Sequence, residues 1–167
     1  MKNSPIILNI GGTFNKIYIP TTGELIIPKD NKTIKNILKN SYKTNKIPKS
    51  KGLLYKDSLE MDKNDRKILL ENVNELNYNK IIIVHGTDTM KKSAKILAKY
   101  IQNKTIVFVG AMQPYSIEPV EASFSLGMAL GFITKTKKKG VFICMNGLLK
   151  KHNKIKKNYE EGLFECL

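Results

Sequence analysis

Short runs of β-branched and other apolar residues alternate along the chain with segments whose apolar residues recur every three or four positions. Continuous apolar runs bounded by glycine or polar residues are typical of buried strands, and the longer spacing is typical of amphipathic helices. The pattern predicts five strands in one sheet, at Pro5–Ile10, Gly52–Ser58, Lys80–Gly86, Thr105–Ala111 and Gly140–Gly147.

Helices are predicted between these strands. Asp30 or Asn31 can cap a first helix that runs to about Asn40, and a lysine-rich connection follows it. Asp62 can cap a second. The remaining predicted elements are a hairpin around Thr22-Gly23, a third helix at Met90–Ile101, and an almost entirely apolar segment, Val120–Ile133, expected to be a buried helix.

Strands that alternate with helices indicate β-α-β units, so we predict a three-layer αβα fold with a mostly parallel sheet. No repeat, low-complexity linker or internal boundary interrupts the pattern, and residues 1–167 are interpreted as one domain. Ligands of such folds bind beyond the carboxyl ends of the strands.

Small and polar residues follow each predicted strand at that edge. They are Gly11-Gly12-Thr13, Asp57-Ser58, Gly86-Thr87-Asp88, Gly110 to Pro114, and Met145-Asn146-Gly147. Because the carboxyl ends of parallel strands share one edge, we expect these groups to form a site.

Composition narrows the class of protein. The chain has 29 Lys and Arg residues against 14 Asp and Glu, a net charge of +15, yet Arg66 is the single arginine. Arginine is the residue that reads phosphates and base edges, so scattered lysines indicate a solvated surface and argue against nucleic-acid binding. No apolar run approaches the roughly 20 residues that span a membrane. Two cysteines and a start too short for a signal peptide favour the cytoplasm.

The candidate chemistry depends on hydroxyl groups. The sequence has no phosphate-binding loop and no dinucleotide fingerprint, and its two histidines, His85 and His152, leave little for a histidine triad or a zinc site. A threonine hydroxyl becomes a nucleophile when a neighbouring base takes its proton, and a lysine held by an aspartate can act as that base. Thr13, Thr87, Asp88 and a late lysine could supply these groups.

The segments GGTF, DSLEM, HGTDTM, VGAMQP and CMNG, in this order and spacing, resemble the motifs of the bacterial-type L-asparaginase and glutaminase family. The hairpin YIPTTGEL is similar to the segment that follows the first catalytic threonine of the cytoplasmic asparaginases. The resemblance spans nearly the whole chain and covers the amino-terminal domain only; the family's carboxy-terminal domain is absent from this sequence.

This resemblance implies hydrolysis of L-asparagine to L-aspartate and ammonia through an acyl-threonine intermediate, with no metal or organic cofactor. It also implies a homo-oligomer, either a dimer or a tetramer. A non-catalytic amino-acid-binding or regulatory module with the same fold is the alternative, and preference for asparagine or glutamine stays open.

The resemblance also implies roles for single residues. Thr13 would be the nucleophile, Tyr18 the lid residue that orients it, Ser58 the ligand of the substrate carboxylate, and Asp88 the ligand of the substrate ammonium, with Thr87, Asp88 and Lys157 as a triad. Gly12 and Gly86 would bind substrate, and backbone N–H groups near Gly12 and Thr87 would hold the oxyanion. Lys154 and Lys156 are alternatives to Lys157.

Each of these residues also has a structural explanation. Thr13 and Ser58 could serve only in turns, and Thr87 with Asp88 could cap the helix that follows. Lys157 could be a surface lysine, and Tyr18 an aromatic residue on the face of a hairpin.

Overall fold

The computed structural model describes residues 4–41 and 47–167, so residues 42–46 of the predicted lysine-rich connection lie outside the described residues. A six-stranded sheet forms the centre. From one edge to the other its strands are β4 (Lys49–Lys56), β1 (Ile6–Gly11), β5 (Lys80–Val84), β6 (Thr105–Val109), β7 (Gly140–Met145) and β8 (Leu148–Lys151). All neighbouring strands are parallel except β7 and β8.

Two helices cover each face of this sheet. Apolar residues of α2 (Lys63–Glu75) and α3 (Met90–Tyr100) pack with one set of strand side chains. Those of α1 (Lys32–Ser41) and α4 (Pro119–Lys135) pack with the opposite set. The β1 side chains alternate between the two layers, because successive residues of a strand point to opposite faces. The predicted three-layer αβα class is therefore confirmed.

The strand register brings the ends of four strands to one edge. Asn9 of β1 lies beside Val84 of β5, which pairs with Val109 of β6, and Val109 pairs with Cys144 of β7. The residues that follow these four positions therefore emerge side by side.

Two expectations about burial are wrong. The apolar run Gly52–Ser58 predicts a buried core strand, but β4 lies at the edge of the sheet and all of its residues are half-buried or exposed. Helix α4 is not buried all round, since Val120 is 69% and Phe124 56% exposed. An outer-layer helix packs on the sheet with one face only, so an apolar sequence does not ensure burial of the other.

Short hairpins complete the fold. The predicted one is present as β2 (Ile17–Ile19) and β3 (Glu24–Ile26). The sequence did not indicate β8 or the hairpin of β9 (Ile155–Asn158) and β10 (Leu163–Cys166), because lysines interrupt their apolar pattern. No helix in the described part of the chain is long and apolar enough to cross a membrane.

Candidate active site

The turn after β5 is fixed by a buried histidine. The His85 ring is fully buried, with Nδ1 2.8 Å from the Gly86 carbonyl oxygen and Nε2 2.9 Å from Ser93 Oγ. Burial lowers the pKa of His85 to about 4, so the ring is neutral at physiological pH. His85 therefore holds the turn in place and does not add charge to the site.

Lys157 reaches this turn from a distant part of the sequence. Its Nζ donates to Thr87 Oγ1 at 2.9 Å and to Asp88 Oδ1 at 2.6 Å. The side chain is only 9% exposed, which contradicts the surface-lysine alternative. Lys156 pairs instead with Glu165 at 2.9 Å, and Lys154 is exposed. Of the three candidate lysines, Lys157 is thus the one in contact with Thr87 and Asp88.

The capping explanation of Thr87 and Asp88 is wrong. Helix α3 begins at Met90, its N-cap residue is Thr89, and no side chain makes a capping hydrogen bond there. The side chains of Thr87 and Asp88 face Lys157 and leave the α3 amino terminus uncapped.

Glycines allow the site loops to approach closely. Gly12 has a φ of 81°, and a Cβ there would lie 2.4 Å from the Gly86 Cα. A Cβ on Gly86 would lie 2.7 Å from the Ser58 Cβ. The backbone at Gly12 therefore lies against the backbone at Gly86, and Gly86 in turn lies against Ser58, so the loops that follow β1, β5 and β4 are in contact. Thr13 is half-buried in a single 3₁₀ turn, and its hydroxyl has no hydrogen-bond partner within residues 4–41 and 47–167.

Ser58 is fully buried beside this glycine contact. Its Oγ accepts a hydrogen bond from the Thr89 N–H at 3.3 Å. The turn around it is made by Asp57, which accepts from the Leu59 and Glu60 N–H groups at 3.1 Å each. A role as a turn residue, the alternative given above for Ser58, therefore fits Asp57 better than Ser58.

An ion pair joins two of the site loops. Lys16, three residues after Thr13, lies 2.8 Å from Asp57. Burial opposes the ionisation of Asp57, but hydrogen bonds from Lys16 and from the Leu59 N–H outweigh it and lower the pKa of the carboxyl. The segment that carries Thr13 is therefore attached to the segment that carries Ser58.

In the described part of the chain, Tyr18 makes no contact that would show the role implied for it. It lies on β2 opposite Leu25 and is 55% exposed, as expected of an aromatic residue on a hairpin face. It makes no hydrogen bond to Thr13 or Thr87 among the residues described, and its lid role stays a prediction.

Three contacts around the site were not predicted. Tyr159 OH donates to the Asp88 carbonyl at 2.7 Å, and its ring lies 5.3 Å from Lys157 Nζ. Asn146 Oδ1 accepts from the Phe164 N–H at 2.9 Å. The Glu121 carboxylate accepts from the N–H groups of Met112 and Gln113, at 2.9 to 3.1 Å. Asn146, in the CMNG segment, and Met112 and Gln113, in the VGAMQP segment, had a sequence signal, whereas Tyr159 and Glu121 had none.

The arrangement of these side chains suits proton transfer. Nowhere in the described ranges do three or more His, Cys, Asp or Glu residues form a group able to hold a metal ion. A lysine amine, a hydroxyl and a carboxylate in direct contact form instead a path along which a proton can move.

Comparison with known proteins identifies relatives of this chain by sequence. The family model of the asparaginase amino-terminal domain matches residues 6–163. A glutaminase-asparaginase of Acinetobacter glutaminasificans is 27% identical over 154 residues, which are 87% of this chain and 46% of that protein.

Solved structures share the fold. The thermostable L-asparaginase from Thermococcus kodakarensis superposes with a TM-score of 0.83 at 22% identity, over 98% of this chain and 51% of that one. A probable cytoplasmic L-asparaginase from Campylobacter jejuni gives 0.81 at 24% identity, over 99% and 53%. The chain spans about half the length of these relatives. With its strand-end loops and its family match over nearly the whole sequence, this chain belongs to the asparaginase family and corresponds to its amino-terminal domain.

Proposed function

We propose that this chain is an amidohydrolase that converts L-asparagine to L-aspartate and ammonia through an acyl-threonine intermediate. The observation that carries the proposal is the contact of Lys157 Nζ with both Thr87 Oγ1 and Asp88 Oδ1. A lysine taken out of solvent and aimed at a hydroxyl by a carboxylate has the geometry of an activated base.

In the proposed reaction the Thr13 oxygen attacks the side-chain amide carbon. The C–N bond breaks, ammonia leaves with the proton given up by the threonine, and an ester to Thr13 remains. Water then attacks this ester and releases aspartate. The Thr87–Lys157 pair takes the proton from the attacking hydroxyl group and delivers it to the leaving atom, while Asp88 keeps the amine in position.

Backbone N–H groups are the proposed ligands of the oxyanion. The Gly12 N–H is not available, since it donates to the Lys56 carbonyl at 3.0 Å. The N–H groups of Thr13 and Thr87 have no acceptor in the described parts of the chain, and we assign the oxyanion to them.

The remaining polar groups are proposed to hold the amino acid. Asp88 Oδ2 has no partner among the described residues, which leaves it for the substrate ammonium. The Ser58 hydroxyl accepts from Thr89, and no acceptor for its own proton is found in those ranges, so it can donate to the substrate carboxylate. Ser58 is buried, so binding of a ligand at its hydroxyl requires a displacement of the adjoining turn.

Neighbouring lysines on β9 provide a matched test. Lys157→Met should lower ammonia release from asparagine by about 10²- to 10⁴-fold, the usual contribution of a general base. Lys156→Met, which removes the partner of Glu165 instead, should leave the rate unchanged. Equal rates for the two variants, each with its melting temperature checked, would reject the proposed triad.

A non-catalytic amino-acid-binding module is the second candidate. It is favoured by the exposure of Tyr18, which is 55% exposed and makes no hydrogen bond to Thr13 among the described residues, so the proposed nucleophile has no orienting partner there. A ligand that binds only the native state raises its melting temperature. A rise with aspartate, together with no ammonia release from asparagine or glutamine, would establish this candidate over the first.

A further inference from the structure

A chain of hydrogen bonds connects the buried Arg66 with the proposed carboxylate-binding residue. Arg66 lies near the amino end of α2, with NH1 donating to the Met61 carbonyl at 2.5 Å and to the Asp62 carbonyl at 2.8 Å. NH2 donates to Thr89 Oγ1 at 2.8 Å. The guanidinium therefore joins the start of α2 to the turn before α3.

Thr89 continues the connection to Ser58. Its hydroxyl donates to the Ser58 carbonyl at 2.7 Å, and its N–H donates to Ser58 Oγ at 3.3 Å. Since Arg66 donates to the Thr89 oxygen, the single hydroxyl proton is directed to Ser58. Ser58 is thus held at both its backbone and its side chain by one residue.

We propose that Arg66 and Thr89 are positioning residues that place Ser58 against the Gly86–Thr87 turn and so determine how tightly the site binds the carboxylate of an amino acid. This inference rests on the proposed function, in which Ser58 contacts that carboxylate. Neither residue touches the reacting atoms, so their effect is on affinity and not on the chemical step.

The presence of arginine instead of lysine at position 66 supports a role in fixing the geometry of the site. Arg66 is the single arginine among the 29 basic residues of the chain, and lysine occupies every other position. Its planar fork donates from two separate nitrogens to three acceptors, whereas a lysine ammonium would have to reach all three from a single atom. Its Nε is buried and has no hydrogen-bond partner in the described ranges, so the position is not optimised for stability alone.

Lys104 offers a control for stability. It is also buried, and its Nζ donates to the carbonyls of Val73, Asn74 and Leu76 at 2.5 to 3.1 Å, at the opposite end of α2. It precedes β6, at the amino ends of the strands and therefore at the sheet edge away from the site. Lys104→Met should destabilise the fold without changing substrate affinity.

The test compares the steady-state kinetics of asparagine hydrolysis in matched variants. Arg66→Lys and Thr89→Val should each raise KM by about tenfold or more, the usual effect of losing a hydrogen bond to a charged group, with kcat within about threefold. Thr89→Ser, which keeps the hydroxyl, should restore the wild-type KM. Lys104→Met should lower the melting temperature and leave KM unchanged.

Hydrogen exchange supplies a readout that needs no substrate. Amides of residues 57–60 and 86–89 should exchange faster in Arg66→Lys and Thr89→Val than in wild type, and at the wild-type rate in Lys104→Met. Unchanged exchange there, or a KM no different from that of Lys104→Met, would overturn the inference. If the wild-type protein neither hydrolyses nor binds asparagine, the proposed function fails, and the exchange rates still decide whether Arg66 and Thr89 position Ser58.

Discussion

Thr13 and Thr87 differ in what surrounds their hydroxyl groups. Thr87 Oγ1 accepts from Lys157, whereas the Thr13 hydroxyl has no partner in the described parts of the chain. Thr13→Ala should abolish ammonia release because no ester can form. Thr87→Val should lower the rate by about 10²- to 10⁴-fold through loss of the proton path.

Melting temperatures of the same preparations separate catalysis from stability. Helix α3 takes no capping hydrogen bond from Thr87, so Thr87→Val should melt close to the wild type. A Thr87→Val protein that melts early yet releases ammonia at the normal rate would remove Thr87 from the reaction.

The buried His85 should make stability depend on pH. Its pKa is lowered from 6.5 to about 4 by burial, so between these values the unfolded chain binds more protons than the folded one. The free energy of unfolding should therefore fall by about 3 kcal/mol as the pH drops from 6.5 to 4. Asp57 and Asp65, with pKa values lowered from 3.8, contribute mainly below this range.

Denaturant unfolding at several pH values checks this effect. His85→Gln should be less stable at pH 7 but should show a flatter dependence between pH 6.5 and 4. His152→Gln serves as the comparison. Burial also lowers the pKa of this imidazole, but the residue is only half-buried, so its loss should flatten the dependence less. An unchanged slope in His85→Gln would contradict the assignment.

The β9–β10 hairpin is the element that brings Lys157 to the site. Ile155 and Phe164 anchor it in the core, and Asn146 Oδ1 holds the Phe164 N–H at 2.9 Å. Asn146 has a φ of 49°, a conformation that asparagine and glycine tolerate. One side chain thus fixes both the turn after β7 and the position of the hairpin.

Asn146→Gly keeps this backbone conformation and removes the acceptor. The orphaned N–H should cost about 1 to 3 kcal/mol of unfolding free energy, and displacement of Lys157 should reduce ammonia release. Asn153→Gly, in an exposed turn, is the control for added chain flexibility. Equal activity of the two variants would show that Asn146 does not position Lys157.

At the level of the molecule, α4 leaves an apolar outer face uncovered. Val120 and Phe124 are exposed there, one turn apart, with Met128 following at the same spacing. Contiguous exposed apolar residues mark interaction surfaces, and we propose a second copy of the chain as the partner.

Light scattering at tens of micromolar should therefore give at least the mass of a dimer. Phe124→Lys should shift the protein to monomer, because it places a charge in the contact. Tyr100→Lys, which changes an exposed aromatic residue on α3, should not. A monomeric wild type would contradict this proposal.

The sequence by itself determined the αβα class and the edge of the sheet where the site lies. Both depend on local information, namely the spacing of apolar residues and the polar residues directly after each strand. The same reasoning found Thr87 and Asp88, because they follow a strongly apolar strand. It misjudged the burial of α4, because the composition of a helix does not show which of its faces the sheet covers.

Only the tertiary structure decided which lysine meets Thr87. Lys154, Lys156 and Lys157 are alike in type and neighbourhood, and the register of β9 against β10 sends Lys156 to Glu165 and Lys157 to Asp88. The links from Arg66 through Thr89 to Ser58 likewise join residues far apart in sequence. Such contacts depend on how separate elements pack in space. The periodicity of a sequence indicates which apolar residues will be buried, but it does not indicate which partner a polar residue will contact.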